Sequence, residues 1–334
     1  MTLLSRVGGA PITWGVDGSP GWGHLMDRER VLSEMRQVGL SATELGPEGY
    51  LPGDAGELRA LLDRFGLALI GGFVPAVLYR PELVSESLAN IDRAAATLAG
   101  TGASVMVLAP DSLHPGYDRQ IDLTEAEWDT LLTSLDRAAQ IASGHGLRTV
   151  LHPHWGMAVV GQDHVERVLD RSRVDLCIDT GHLALAGADP VAVAKAAAGR
   201  VAHVHLKDLD EDLARQVRSG ALAFRQAVID GLFLPLGDGS VDIRGLVETL
   251  EAQGYGGWYV IEQDVVLEAE PESGEGPIRA AARSFAFLED LAGGLRVPRG
   301  SSPGCHREDA HRLVGEMPCS GEDRLEPDIE GRSG

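Results

Sequence analysis

The stretch VAHVHLKDLD, residues 201–210, is an apolar run in which polar residues recur at every second position toward its end. Successive side chains of a β-strand alternate between two faces. This alternation places Val201, His203, His205 and Lys207 on one face, and Ala202, Val204 and Leu206 on the other. The all-apolar face packs against helices, so we predict that His203, His205 and Lys207 point to the opposite side of the sheet.

Eight apolar runs of this kind alternate with segments of helical period from residue 7 to residue 293. The predicted strands cover residues 7–13, 40–45, 67–74, 104–109, 147–152, 174–179, 201–206 and 258–262. The predicted helices cover residues 27–39, 54–66, 82–100, 124–146, 162–170, 189–199, 242–254 and 277–292. Eight parallel βα units fit a closed (β/α)8 TIM barrel better than an open doubly wound sheet. In such a barrel His205 and Lys207 lie at the C-terminal mouth, where active sites form, and His203 lies one layer deeper.

Two segments depart from the βα alternation. Residues 209–233 add a helical segment after the strand at 201–206, and because βα-loops build the active face of a barrel, we expect this insertion to cover the mouth. Residues 294–334 are rich in Gly, Pro, Ser and mixed charge and lack an apolar period, which predicts a disordered tail. The predicted organisation is a catalytic barrel domain at 1–293 followed by a tail at 294–334.

The composition argues against several classes of function. The formal net charge is −21 and Lys and Arg form no stripe along the sequence, so we expect no binding to nucleic acid. No apolar run approaches the roughly 18–20 residues of a membrane span, and the N-terminus lacks the basic and apolar regions of a signal peptide. The three cysteines have neither disulfide-framework nor zinc-site spacing. We therefore expect a soluble cytoplasmic protein that acts on a small molecule.

Four consecutive predicted strands each end in a residue that can bind a metal: His152, Asp179, His205 and Glu262. Carboxylates and imidazoles that converge at a barrel mouth are costly to bury without a cation. Two imidazoles and two carboxylates suit Mn²⁺, Co²⁺, Fe²⁺ or Zn²⁺ without a choice among the four, and the set is too rich in nitrogen for Ca²⁺ or Mg²⁺. His154 is an alternative ligand to His152, and His203 is a supporting residue below the set.

Other residues near the same mouth have two interpretations each. Lys207 is either a proton donor that faces the mouth or the ion-pair partner of Asp208 or Asp210. Glu44, at the end of the strand at 40–45, either binds a substrate hydroxyl or forms a structural ion pair.

Two tryptophans follow predicted strands directly. Trp14 and Trp155 could wall an apolar pocket at the mouth, although a tryptophan in a barrel more often serves packing alone.

Several motifs of this sequence resemble one family. They are APITWG (10–15), ATELGPEGYLPGD (42–54), LHPHWG (151–156), CIDTGHLALAG (177–187), VAHVHLKD (201–208), AVIDGLFLPLGDGSVD (227–242) and GWYVIEQD (257–264). Together they are similar to the inosose dehydratase family, within the xylose-isomerase-like superfamily of sugar isomerases, epimerases and apurinic endonucleases. The resemblance spans residues 7–290, and IDTGH, HVHLKD and the PxGDGxxD turn are its most specific parts.

The resemblance implies a metal-dependent reaction on a cyclic keto-polyol such as 2-keto-myo-inositol (scyllo-inosose). The superfamily's metal ligands are typically Glu, Asp, His and Glu, and by position these fall on His152, Asp179, His205 and Glu262. Epimerases of this fold use two metal-bound glutamates on opposite sides of the substrate. His152 replaces one of them, so the resemblance favours loss of water over epimerisation.

The implied mechanism assigns a role to each candidate residue. Glu262 removes the proton next to the ketone, with the histidines 152, 154 and 182 as alternatives, and Lys207 or His182 protonates the departing β-hydroxyl. The residues expected to hold the polyol are Glu44, Trp14, His154 and Trp155.

Three alternatives to a dehydratase follow from the same residues. The first is a ketose isomerase or epimerase that keeps the metal site. The second is a non-catalytic or partner-dependent polyol-binding barrel, and a homo-oligomer is compatible with either function. The third, an endonuclease, would need a basic groove that a net charge of −21 argues against.

Overall fold

The computed structural model describes residues 2–295. The strands are β1 (Val7–Gly9), β2 (Ala42–Glu44), β3 (Ala68–Gly71), β4 (Phe73–Ala76), β5 (Val105–Pro110), β6 (Arg148–Leu151), β7 (Asp175–Asp179), β8 (Val201–Leu206), β9 (Asp208–Leu209), β10 (Phe233–Leu234) and β11 (Tyr259–Ile261). The α-helices are α1 (Arg28–Val38), α2 (Ala55–Phe65), α3 (Pro81–Thr101), α4 (Glu125–Gly144), α5 (Gln162–Arg171), α6 (Thr180–Leu185), α7 (Pro190–Ala196), α8 (Glu211–Arg218), α9 (Phe224–Ile229), α10 (Ile243–Ala252) and α11 (Pro277–Leu295). Short 3-10 helices cover Leu3–Arg6 and Pro11–Trp14.

The predicted tail begins close to the end of the described residues. Helix α11 continues to Leu295, slightly beyond the predicted barrel boundary at residue 293. The remainder of the predicted tail, residues 296–334, lies outside the described residues. None of the described helices is long and apolar enough to cross a membrane.

Nine parallel strands form one sheet in the order β3-β2-β1-β11-β8-β7-β6-β5-β4. The end strands β3 and β4 follow each other in the chain and are separated by Gly72 alone. Ser104 N donates to Ile70 O at 3.3 Å and Val107 N donates to Gly72 O at 3.0 Å, which ties this junction to β5. The nine strands therefore fill eight positions of a closed barrel, and the predicted TIM barrel is confirmed.

Helix boundaries follow from capping residues in the sequence. Helix α4 begins at a capping box in which Thr124 and Glu127 bond each other's backbone N–H groups. Helices α1 and α2 begin at Asp27 and Asp54, whose carboxylates accept from N–H groups of the first turn. Helix α1 ends at Gly39, whose φ of 106° is left-handed and favours glycine. Because these capping signals are visible in the sequence, the observed helices begin and end close to the predicted bounds.

The register of β8 against its neighbours fixes the interior face of the barrel. His205 pairs with Asp179 on β7 and with Val260 on β11. The side chains of His203, His205 and Lys207 are all buried. The prediction that these three residues point into the barrel is therefore confirmed.

The prediction for the beginning of the same strand was wrong. Pairing between β7 and β8 shifts by one residue after the pair Leu176 and Val201, so that Cys177 pairs with His203. Ala202 is the extra residue of this bulge, and it packs inside the barrel with Cys177. A bulge changes the alternation of faces, which a strict two-residue period cannot anticipate.

The chain between β8 and α10 folds into an excursion, residues 208–234, made of β9, α8, α9 and β10. Strands β9 and β10 pair antiparallel and close its base. Hydrogen bonds tie it to three other segments: Phe224 N to Asp118 Oδ1 (2.6 Å), Arg225 Nε to Trp22 O (3.0 Å) and Gln263 Nε2 to Phe233 O (3.0 Å). These segments follow β5, β1 and β11, so the excursion lies across the mouth, as the sequence predicted.

Asp208 organises the turn that returns from the excursion to α10. Its buried carboxylate accepts from four backbone N–H groups: Leu209 (2.9 Å), Gly237 (2.9 Å), Gly239 (3.0 Å) and Val241 (3.0 Å). A Cβ on Gly239 would collide with this carboxylate, which explains the glycine in the turn PLGDGS. Asp208 is therefore a structural residue and does not pair with Lys207.

We expect Asp208→Ala to lower the free energy of unfolding by about 2–4 kcal/mol, because several backbone donors lose their acceptor at once. Urea denaturation followed by circular dichroism measures this loss. The control is Asp212→Ala, since the Asp212 side chain is 80% exposed and its removal should leave the midpoint nearly unchanged. Equal midpoints for the two variants would contradict the role of Asp208.

Candidate active site

Four side chains from the ends of neighbouring strands converge at the barrel mouth. His152 Nε2 lies 3.1 Å from His205 Nδ1 and 3.5 Å from Asp179 Oδ2. His205 Nδ1 lies 3.6 Å from Asp179 Oδ2 and 3.3 Å from Glu262 Oε2. The structure thus brings together the four residues that the sequence singled out as metal ligands, and we refer to them as the ligand set.

The ligand set has the spacing and chemistry of a divalent metal site. Atoms about 2.0–2.2 Å from one tetrahedral ion lie about 3.3–3.6 Å from one another, close to the distances between these side chains. Asp179 Oδ2 is buried and has no hydrogen-bond partner among the described residues. Two ring nitrogens, from His152 and His205, also face each other. Asp179, His205 and Glu262 offer ligand atoms that all lie within 4.8 Å of one another, and His152 Nε2 lies beside His205, so the residues present fit a divalent metal.

The residues of the motif IDTGH orient the carboxylate of Asp179. Asp179 is the N-cap of α6, and its Oδ1 accepts a hydrogen bond from His182 N at 2.8 Å. The other carboxylate oxygen, Oδ2, therefore faces the ligand set. Thr180 Oγ1 donates to Lys207 O and accepts from Lys207 N, both at 2.7 Å, and joins the end of β7 to the end of β8. A side chain at Gly181 would collide with Lys207, since its Cβ would lie 2.6 Å from Lys207 Cγ.

His154 occupies a different place from His152. Its Nδ1 lies 2.7 Å from Trp155 O, and its ring stacks on His182 with centroids 3.6 Å apart. Burial and the neighbouring His152 lower the pKa of His154 to about 3, so the ring is neutral near pH 7. Since His152 is the ring that contacts Asp179 and His205, it is the better candidate ligand of the two.

Glu44 lies below the ligand set. Its Oε1 is 2.6 Å from His203 Nε2 and 2.9 Å from His205 Nε2, and all three side chains are buried. Burial opposes the charged form, but the two histidines outweigh it and lower the pKa of Glu44. The described contacts of Glu44 are thus with two histidines, and its contact with substrate stays a prediction.

Lys207 is the centre of a buried polar cluster beside the ligand set. Its Nζ lies 2.8 Å from Asp264 Oδ1, 3.2 Å from Glu262 Oε2 and 3.2 Å from His182 Nε2. Burial opposes the ammonium charge, but Asp179, Asp264 and Glu262 raise the pKa of Lys207 well above its ordinary value. Lys207 therefore carries a proton at neutral pH and faces the mouth, and it pairs with neither Asp208 nor Asp210.

His182 completes this cluster. Burial lowers the pKa of His182 well below its ordinary value, so the ring is neutral. Its Nε2 accepts from Lys207, which leaves the ring proton on Nδ1, and Nδ1 has no hydrogen-bond partner among the described residues. His182 therefore has one buried N–H without an acceptor among the described residues.

Asp264 is a candidate functional residue that the sequence analysis missed. It is buried against Lys207, and burial raises the pKa of Asp264 to about 6. The signal was available, because Asp264 follows Glu262 at the two-residue spacing that brings side chains to one face of a strand.

The two tryptophans have different surroundings. Trp14 packs in the layer between barrel and helices, and its Nε1 donates to Glu34 on α1 at 2.8 Å. These contacts account for Trp14 as a packing residue, and its contact with the substrate stays a prediction. Trp155 is buried in a separate cluster with residues of the excursion, and its Nε1 has no hydrogen-bond partner among the described residues.

Aromatic side chains cover the mouth above the polar residues. Phe233 of the excursion lies over the Lys207 ammonium, 5.1 Å from Nζ to the ring centroid. Tyr117 lies between His154 and Phe224, with ring centroids 5.0 and 5.2 Å away. Tyr117 approaches so closely that a Cβ on Gly156 would meet its backbone. These three rings, Tyr117, Phe224 and Phe233, form the aromatic cover of the site.

The protein is a TIM barrel with a polar, metal-compatible centre at its C-terminal mouth. Residues 22–291 match the family described as Xylose isomerase-like TIM barrel. The chain therefore belongs to the xylose isomerase-like TIM barrel family.

The chain is also similar to curated proteins that include dehydratases. The chain is 36% identical over 262 residues to the rhizopine catabolism protein MocC of Rhizobium meliloti, covering 76% of this chain and 80% of the relative. It is 33% identical over 270 residues to an inosose dehydratase of Geobacillus kaustophilus, covering 78% of this chain and 87% of the relative. The resemblance to the inosose dehydratases is thus confirmed. Because these relatives are enzymes, the protein is an enzyme as well.

Solved structures share the fold at lower identity. An L-ribulose 3-epimerase superposes with a TM-score of 0.64 at 16% identity, covering 87% of this chain and 95% of that chain. The IOLI protein with a binding zinc atom gives a TM-score of 0.64 at 15% identity, covering 86% and 98%. At these identities the likeness concerns the fold.

We expect divalent metal to stabilise the protein through the ligand set. After treatment with a chelator, Co²⁺ or Zn²⁺ at 100 times its dissociation constant should add about 2.7 kcal/mol to the free energy of unfolding. Asp179→Asn should remove this effect. The matched control is Asp175→Asn at the other end of β7, where the side chain bonds Arg148. Equal metal-induced shifts in the melting temperature of both variants would contradict the site.

Proposed function

We propose that the protein is a metal-dependent lyase that dehydrates a cyclic keto-polyol such as scyllo-inosose to a cyclic 1,2-diketone. The observation that carries this proposal is the placement of a carboxylate and an ammonium side by side at the ligand set. Glu262 Oε2 and Lys207 Nζ lie 3.2 Å apart, and both are buried. Elimination of water needs a base for the α-proton and an acid for the leaving hydroxyl, and these two groups supply both.

The proposed metal is held by His152, Asp179, His205 and Glu262. It would supply Lewis acidity to the substrate ketone and thereby acidify the neighbouring C–H bond. Support for a divalent metal comes from the donor set and from the zinc in the structural neighbour named above. Mn²⁺ and Co²⁺ are our first expectations, with Zn²⁺ and Fe²⁺ as alternatives.

In the proposed reaction Glu262 accepts the α-proton. The Lys207 ammonium forms an ion pair with the Glu262 carboxylate at 3.2 Å and holds it in place. Burial opposes the charged form of Glu262, but His205 and Lys207 lower its pKa, so the carboxylate is ionised and able to act as a base.

The proposed acid is the hydrogen-bonded pair of Lys207 and His182. His182 Nδ1–H protonates the departing hydroxyl, and Lys207 returns a proton to His182 Nε2 across their 3.2 Å contact. The leaving group departs as water and His182 stays neutral overall. Asp264 holds the Lys207 ammonium at 2.8 Å on its other side.

A dehydratase fits this site better than an epimerase because the two sides of the ligand set differ. Glu262 stands on one side with an ammonium at its carboxylate. His152 lies on the other side, where it offers a ring nitrogen in place of the second glutamate. The curated relatives named inosose dehydratase support the same choice.

The protein with Mn²⁺ or Co²⁺ should convert scyllo-inosose to a product lighter by one water, detected by mass spectrometry. Glu262→Gln should lower kcat by on the order of 10²–10⁴-fold at matched metal content, whereas Glu268→Gln in the following loop should not. In D2O, a product that keeps all its oxygen atoms and gains one solvent deuterium would instead establish an epimerase. No turnover by wild-type protein that contains metal would refute the assignment.

Gly181→Ala should impair the reaction although it replaces no ionisable residue. The added methyl displaces Lys207 from Glu262 and His182, and a misplacement of about 1 Å can cost on the order of 100-fold in rate. Gly144→Ala at the end of α4 is the matched control, because its Cβ would meet nothing within 4 Å. Wild-type kcat in Gly181→Ala would argue against Lys207 in the reaction.

A further inference from the structure

We infer that Glu44 is a positioning residue that holds the ring proton of His205 on Nε2, so that Nδ1 offers its lone pair to the ligand set. This inference rests on the proposed metal site and adds the residue that orients one of its ligands. Glu44 is far from His205 in sequence but lies directly beneath it in the barrel.

The two nitrogens of His205 face opposite requirements. On one side, Nε2 lies 2.9 Å from the Glu44 carboxylate, which can only accept a hydrogen bond when ionised. On the other side, Nδ1 lies within 3.1–3.6 Å of His152 Nε2, Glu262 Oε2 and Asp179 Oδ2. A neutral imidazole that donates through Nε2 must leave Nδ1 unprotonated. Glu44 therefore selects the tautomer that can bind a cation at the mouth.

A carboxylate behind a ligating histidine does more than select the tautomer. It fixes the plane of the ring and increases the electron density on the ligating nitrogen, and the loss of such a partner typically lowers metal affinity about 10–100-fold. Here the carboxylate is fully enclosed, because the Glu44 side chain is 4% exposed and that of His205 is 1% exposed. Water cannot readily replace it as an acceptor.

His203 gives Glu44 its fixed position. His203 Nε2 donates to the same Oε1 atom at 2.6 Å, so one oxygen is held by two rings from one strand. The spacing of the two histidines in HVH puts both rings on the interior face, one above the other. The upper ring faces the ligand set and the lower ring secures the carboxylate between them.

The test compares metal binding by Glu44→Gln, Glu44→Asp and Glu34→Gln with that of wild type. Glutamine has the same length as glutamate and keeps a side-chain oxygen, but it loses the negative charge. Aspartate keeps the charge, but its shorter side chain moves the carboxylate away from His205. Glu34 is the matched control, because it is also buried, at 4% exposed, and bonds Trp14 and Arg30 outside the barrel interior. Affinity for Co²⁺ is measured by competition with a chelator, and the visible absorption of bound Co²⁺ reports its coordination.

We expect both Glu44 variants to lose about 10–100-fold in Co²⁺ affinity and to show an altered Co²⁺ spectrum, while Glu34→Gln matches wild type. Wild-type affinity and spectrum in Glu44→Asp would overturn the inference, because a positioning oxygen cannot be withdrawn without effect. A raised KM with unchanged Co²⁺ binding would also overturn it and make Glu44 a substrate contact. Circular dichroism checks that each variant is folded. If Glu44→Gln does not fold, Glu44→Asp alone provides the test.

Failure of the proposed function gives a different result. If wild-type protein binds no Co²⁺ through Asp179, the metal site itself is refuted. If wild type binds Co²⁺ but releases no water from the keto-polyol, the reaction is refuted while the role of Glu44 can still be measured by affinity and spectrum.

Discussion

The structure of the site depends on one buried ammonium among three buried carboxylates. Lys207 Nζ lies 2.8 Å from Asp264, 3.2 Å from Glu262 and 3.6 Å from Asp179. Removing charges from water is costly unless they are paired, and one positive charge cannot balance three negative ones. The same excess of negative charge that would destabilise an empty barrel interior favours a divalent cation at the ligand set. Electrostatics in the barrel and the chemistry of the donor atoms thus lead to the same conclusion.

The aromatic cover strengthens these interactions. Phe233, Tyr117 and Phe224 belong to two different βα-loops and pack against Lys207, His154 and each other. Exclusion of water lowers the local dielectric constant, which strengthens hydrogen bonds and ion pairs inside and makes an unpaired group more costly. Asp208 supports this arrangement from a distance, since it fixes the turn from which the excursion returns to the barrel. The excursion is therefore part of the site as well as of the fold.

Much of this architecture could be predicted from sequence because it follows from local periodicity. The alternation in VAHVHLKD placed His203, His205 and Lys207 inside the barrel, and the endings of four strands located the ligand set. The failures concern geometry that has no local signal. Ala202 lies inside the barrel because of a bulge, the predicted first strand ends early in a 3-10 turn that contains Trp14, and the contact between Glu44 and two histidines joins residues distant in the chain.

Under the proposed function, the asymmetry of the ligand set decides which reaction the barrel performs. Epimerisation needs a proton acceptor on each side of the substrate, and each acceptor must be able to return a proton. Here the Glu262 side has a carboxylate with Lys207 and His182 next to it, which combines a base with a supply of protons. The His152 side has a ring whose Nε2 faces His205 and Asp179 and is committed to the ligand set. Proton removal and proton donation on the same side suit the loss of water from neighbouring carbons.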